Sequence, residues 1–112
     1  IIFRQASDHS LADCYNVGPN EDDCVTTGKL VSLFCEAWGE GAKWETKAEK
    51  NAVHEANFLK LDCSKIKSRL GWYPIWNIDN AVSNSVEWSK AWLAGENVSN
   101  VMARQIKKYF GF

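Results

Sequence analysis

The stretch VHEANFLKLDCSKIKSRLGWYP, running from Val53 to Pro74, packs a strand signal, a helix signal and a stop signal into one short run. Phe58 to Leu61 reads as a strand, with Leu59 and Leu61 on one face. Asp62 or Ser64 stands where a helix cap belongs, and Ile66 and Leu70 follow one turn apart. Gly71 occupies the position of a C′ glycine, and Pro74 lies just beyond it. The right half is therefore architecture. The left half opens on His54-Glu55, a polar pair at the mouth of the strand, to which local structure assigns no duty.

The same alternation of signals extends outward in both directions. Residues 1–10 begin apolar and turn polar, as the remnant of a helix or a loop would. Cys14 to Val17 is a short strand candidate, stopped by Gly18-Pro19-Asn20. After the acidic run Glu21-Asp22-Asp23, Thr26 or Thr27 caps a helix whose apolar face is Leu30, Val31, Phe34, Cys35 and Trp38. Gly39 and Gly41 end it. Lys43 to Lys47 reads as a strand, and 48–54 as a polar loop. Asn77 and Asp79 open the longest helix, roughly 78–94, with a buried stripe of Val82, Val86 and Leu93 broadened by Ala81, Trp88 and Trp92. Gly95 ends it. Ser99 caps a last helix carrying Met102, Ile106, Tyr109 and Phe110, with Lys107 and Lys108 near its negative end. The expectation is a mixed α and β fold with a few short strands and about four helices. Those strands are too few to form a sheet alone, so a partner is expected.

Composition narrows the functional classes. The chain has 112 residues, one domain's worth at most, with 46% hydrophobic and 24% charged residues, an ordinary globular balance. A net charge of −1 leaves no footprint for nucleic acid or an anionic membrane. No run approaches the roughly 18 apolar residues of a membrane span. Ile1-Ile2-Phe3 runs directly into Arg4, so no signal peptide is expected, and the missing initiator methionine suggests a piece of a longer protein. Six tryptophans are expected to pack helices onto a sheet. The four cysteines are irregularly spaced and the two histidines lie far apart, which argues against zinc and for reduced thiols in a cytoplasmic protein. Asn97-Val98-Ser99 matches a glycosylation sequon, but Ser99 is read as a cap.

No catalytic constellation emerges. Thr26-Thr27-Gly28-Lys29 resembles the tail of a phosphate loop, but Asp23 stands where its first glycine belongs and Leu30 where a hydroxyl belongs. There is no GxGxxG, no GxSxG, and no tyrosine followed four residues on by lysine. The acidic run at 21–23 is read as a solvated loop rather than a cation site. The chain is therefore expected to hold no catalytic residue, no cofactor and no metal.

Several short motifs, taken together, carry a resemblance. Tyr15-Asn16-Val17-Gly18-Pro19, Thr26-Thr27-Gly28-Lys29-Leu30-Val31 and Trp38-Gly39 resemble the C-terminal third of extended short-chain dehydrogenase/reductases that act on nucleotide sugars. His54-Glu55-Ala56, Leu59 to Lys65, Leu70-Gly71-Trp72-Tyr73-Pro74 and Val86-Glu87-Trp88 narrow it to the nucleotide-sugar 4,6-dehydratases of the CDP-glucose type. The resemblance runs from about residue 12 onward. It implies a two-part enzyme in which an N-terminal Rossmann domain holds NAD and the catalytic residues, while the C-terminal part closes over the sugar nucleotide. Residues 1–19 would then lead into a strand of the absent Rossmann sheet, and 20–112 would be the substrate-binding portion. By the same resemblance Glu55 would accept hydrogen bonds from a ribose diol, with His54 second and Lys50 serving the nucleotide end. Val53 replaces a proline common in relatives, and the arginine many of them carry nearby is not found. Relatives acting on GDP-mannose or UDP-glucose, and a non-catalytic binding module, are the competing readings. The expected partners are a nucleotide sugar and the Rossmann domain, with self-association through exposed helix faces.

Overall fold

The computed structural model describes residues 1–47 and 60–112. The described residues form five α-helices: α1 (Ile2–Ser7), α2 (Thr27–Trp38), α3 (Ser64–Leu70), α4 (Ile78–Leu93) and α5 (Val98–Phe110). Single 3₁₀ turns at His9–Leu11 and Glu21–Asp23 separate the first two helices. No strand occurs among the described residues, so the mixed α and β expectation is overturned. Cys14 to Val17 and Lys43 to Lys47 carry strand-like residues but join no ladder. A strand needs an edge to pair with, and among the described residues neither segment has one. Side chains tie these segments down instead. The Asn16 amide donates to the Asp62 carbonyl at 3.1 Å, and the Trp44 indole N–H donates to Ser32 Oγ at 3.1 Å. The third expected strand falls mostly outside the described residues, and Lys60 and Leu61 are irregular. Several tryptophans expected to pack on a sheet meet helical residues instead: Trp44 lies against Gly28 of α2, Trp76 against Tyr109 of α5, and Trp88 against Trp92 within α4.

The helix boundaries follow local chemistry. Thr26 caps α2 by accepting the Lys29 N–H, and Asn77 caps α4 by accepting the Asn80 N–H. A second group supports α4: the Asp23 carboxylate, from the acidic turn, accepts the Ile78 N–H at 2.9 Å. A carboxylate there also meets the positive end of the helix dipole. At α5 the cap is Asn97, which accepts the Ser99 N–H, and not Ser99 itself. Asp62 accepts the Ser64 N–H at 2.8 Å at the start of α3, and Gly71 ends that helix in the left-handed region at φ 63. After α4, Gly95 is also left-handed, and the Glu96 N–H reaches back to the Ala91 carbonyl at 2.9 Å, closing a Schellman turn. That turn folds α5 back along α4.

The packing has two centres. In the larger, α4 lies between α2 and α5; Val82, Val86 and Ala91 are its buried apolar residues, and Val101 is that of α5. Asn84 is buried with them; its amide donates to the Asn80 carbonyl, and its own carbonyl accepts from Gln105. The expected stripe is thus only partly right. Leu93 is 64% exposed, and Trp92 and Ala81 are also exposed. Lys90 already meets Trp38 and Glu40 at the end of α2, so Leu93 extends past the helix that would have covered it. In the smaller centre, Ile66 and Cys63 are buried beneath the segment leading up to residue 20. The radius of gyration is 18.0 Å and the thinnest dimension 21 Å, against about 13 Å expected for the radius of a compact domain of this size. The molecule is flat and buries little.

Candidate functional site

The residues singled out from the sequence, Lys50, His54 and Glu55, lie outside the described residues. The segment that follows them does not. Lys60 to Ser64 and the turn Pro19 to Cys24 face each other across a polar cleft of ≈ 280 Å³, also lined by Lys67.

The cleft is set by how the Tyr15–Pro19 run lies on α3. Gly18 lies close against α3's lead-in: a β-carbon there would be in van der Waals contact with Cys63 Sγ at 3.4 Å and Leu61 Cβ at 3.6 Å. Asp13 fastens the run to the helix, with Lys65 Nζ at 2.6 Å and Arg69 at 3.5 Å. The Lys65 ammonium also stands 5.4 Å over the Tyr15 ring. Hydrogen bonds from Lys65 and from the Cys14 N–H hold the Asp13 carboxyl below the ordinary carboxylate range. Hydrogen bonding from Ser64, chiefly its side chain and then its N–H, does the same for Asp62, with a smaller contribution from the Lys67 charge.

Two carboxylates, Glu21 and Asp62, and two ammonium groups, Lys60 and Lys67, therefore share the cleft walls. Lys60 lies 3.8 Å from Glu21. Lys67 donates to Asn20 Oδ1 at 2.9 Å and stands 5.6 Å from the Tyr73 ring. Cys24 and Cys63 also line the cleft, and all four cysteines are free thiols. The third member of the acidic run, Asp23, is committed to capping α4. No group of three or more His, Cys, Asp or Glu able to hold a metal ion is present among the described residues. None of their helices is long and apolar enough to cross a membrane.

The other stretches behind the resemblance do not converge on this cleft. Thr26 to Val31 begins α2, with Gly28 close against the Trp44 ring. Val86 is core, and Trp88 stacks on Trp92 at 6.4 Å. These residues do structural work. Asn20 and Lys67 were not singled out from the sequence, because a lysine on a short polar helix carries no spacing signal; only the fold brings it to Asn20.

No protein-family profile matches the chain. A curated relative does: the chain is 39% identical over 99 residues to "CDP-glucose 4,6-dehydratase" of Salmonella typhimurium strain LT2. The match takes in 88% of this chain and 27% of the relative, so the chain spans about a quarter of the length of the protein it resembles. The resemblance read from the short motifs holds over nearly the whole chain.

Proposed function

We propose that the chain is the nucleotide-sugar-binding portion of a longer NAD-dependent CDP-glucose 4,6-dehydratase. The observation that carries this reading is 39% identity over 99 residues to a protein of that name. The motif order, from Tyr15-Asn16-Val17-Gly18 to Leu70-Gly71-Trp72, supports it. The full reaction would convert CDP-glucose to CDP-4-keto-6-deoxyglucose and water in the cytoplasm, feeding deoxysugar synthesis for surface polysaccharides. Residues 1–19 would lead in from the Rossmann part and 20–112 would form the substrate side.

NAD, when bound, supplies hydride acceptance and return. The described residues of this chain do not fit it, for they contain no parallel sheet and no glycine-rich strand–turn–helix to cradle its pyrophosphate. No step is therefore assigned to the cofactor here. What this chain contributes is binding and orientation. An ionised Glu55 is acceptor-only and suits a vicinal diol donating two hydrogen bonds. His54 and Lys50 would approach the nucleotide end.

Two measurements test the reading. The 112-residue chain alone should not consume CDP-glucose in the presence of NAD, whereas the longer protein should; turnover by the short chain would refute the division of labour. In the longer protein, Glu55→Ala should raise KM for CDP-glucose more than it lowers kcat, as loss of a uniform binding contact does. An unchanged KM would return His54-Glu55 to the status of a solvated edge.

A further inference from the structure

We infer that the cleft between the Pro19–Cys24 turn and Lys60–Lys67 is a phosphoryl-binding subsite centred on Lys67. Choosing a nucleotide diphosphate as the natural source of that group rests on the reading above; the site itself does not.

Lys67 differs from the other cations around it. Lys65 and Arg69 are matched to Asp13, Lys90 to Glu40 and Arg104 to Glu87. Lys67 is half-buried and, among the described residues, has no carboxylate within ion-pair distance. Its partners are a neutral amide oxygen and an aromatic face. The Asp62 charge reaches Lys67 only across the cleft, so an ammonium drawn partly out of water keeps a desolvation cost that an anion in direct contact would offset. One of its three N–H groups is used by Asn20, which leaves donors for a ligand.

The cleft walls explain which anion fits. Asp62 is turned toward the Ser64 N–H and Glu21 toward Lys60, so both carboxylates are engaged, yet both still repel a bare negative charge. The Ser64 hydroxyl on the same wall is already turned to Asp62, so the remaining N–H groups of Lys67 are the donors for the phosphoryl oxygens. The volume of ≈ 280 Å³ admits such a group with ordered water.

The test is a titration of the isotope-labelled chain with inorganic pyrophosphate, CDP, CDP-glucose and glucose, following backbone amide shifts at Asn20, Ser64 and Lys67, with Asn84 as a distant control. Pyrophosphate, CDP and CDP-glucose should each give saturable shifts at the three cleft positions, and glucose none. Lys67→Gln should weaken binding by about tenfold or more, the loss expected for one charge-assisted hydrogen bond. Lys67→Arg should retain it. An amide spectrum unchanged away from the cleft will show that both variants are folded. Binding of CDP-glucose that ignores Lys67→Gln, or equal shifts with glucose, would overturn the subsite while leaving the nucleotide-sugar reading intact. Pyrophosphate binding that needs Lys67, with no gain from CDP-glucose over pyrophosphate, would uphold the subsite and count against that reading.

Discussion

In the α4–α5 hairpin, Val82, Val86, Ala91 and Val101 are all buried, and a polar latch closes the outside, with Arg104 at 2.6 Å and Gln105 at 2.9 Å from the Glu87 carboxylate. Where the lead-in meets α3, the proportions are reversed. Ile66 and Cys63 are the buried apolar residues there, and the rest is polar: Arg4 to the Leu70 carbonyl at 2.7 Å, Asn16 to the Asp62 carbonyl, Lys67 to Asn20, and Asp13 to Lys65 and Arg69. Apolar burial is not weakened by charge screening, whereas exposed ion pairs are screened and individually weak. One chain thus joins a region organised by packing to a region organised by hydrogen bonds. The candidate cleft lies in the second.

The comparison breaks most visibly at Ile66, which is 2% exposed. Ile66→Ala should cost about 2–5 kcal/mol, the range for a truncated buried aliphatic side chain. Hydrogen exchange should then show α3 and residues 13–20 losing protection while α4 and α5 keep theirs. Equal loss in both regions would mean that they form one cooperative unit.

A smaller effect is expected at Asn77, the cap that α4 supplies for itself. Asn77→Ala should lower the urea midpoint by an amount equivalent to about 1 kcal/mol. Because Asp23 independently accepts the Ile78 N–H, the loss should grow when Asp23→Ala is added.

The subtlest difference is in acid. The Asp13 and Asp62 carboxyls are held below the ordinary value of 3.8 in the folded chain, Asp13 chiefly by Lys65 and Asp62 chiefly by Ser64. A depressed folded pKa contributes stability above the unfolded value and loses it as pH falls through the folded one. The lead-in should therefore loosen below about pH 4. The Glu87 latch moves in the same direction, from an ordinary 4.5, but the apolar contacts beneath it do not titrate. Amide shifts followed down a pH series should spread more widely over residues 13–20 and 62–69 than over the apolar contacts beneath Glu87.

These contrasts also explain what the sequence could disclose. The starts and stops of α2, α3 and α4 are local events, written in Thr26, Asn77, Gly71 and Gly95, and they read correctly to within a residue or two. The cap at α5 was misassigned by two positions because Asn97 and Ser99 are both good caps and only the backbone decides between them. Strand readings at 14–17 and 43–47 failed for a different reason. Strand formation is a property of pairs, and residue type alone does not supply the second strand. Burial along α4 was half legible: Val82 and Val86 follow from periodicity, but buried Asn84 and Ala91 reflect a helix covered on two sides, and exposed Leu93 reflects where α2 stops. At the candidate site, Lys50, His54 and Glu55 fall outside the described residues. The Asn20–Lys67 contact spans 47 positions and has no signature along the chain.

The double cap on α4 carries a kinetic consequence. Asn77 and the helix it caps are neighbours in sequence, so that contact can close as soon as the first turn forms. Asp23 must cross 55 positions to reach the same helix end. Loop closure over that span has an entropic cost that grows with the logarithm of its length. The acidic turn should therefore act as a late-arriving clasp: Asp23→Ala is expected to speed unfolding more than it slows folding, which the two arms of a denaturant chevron would show.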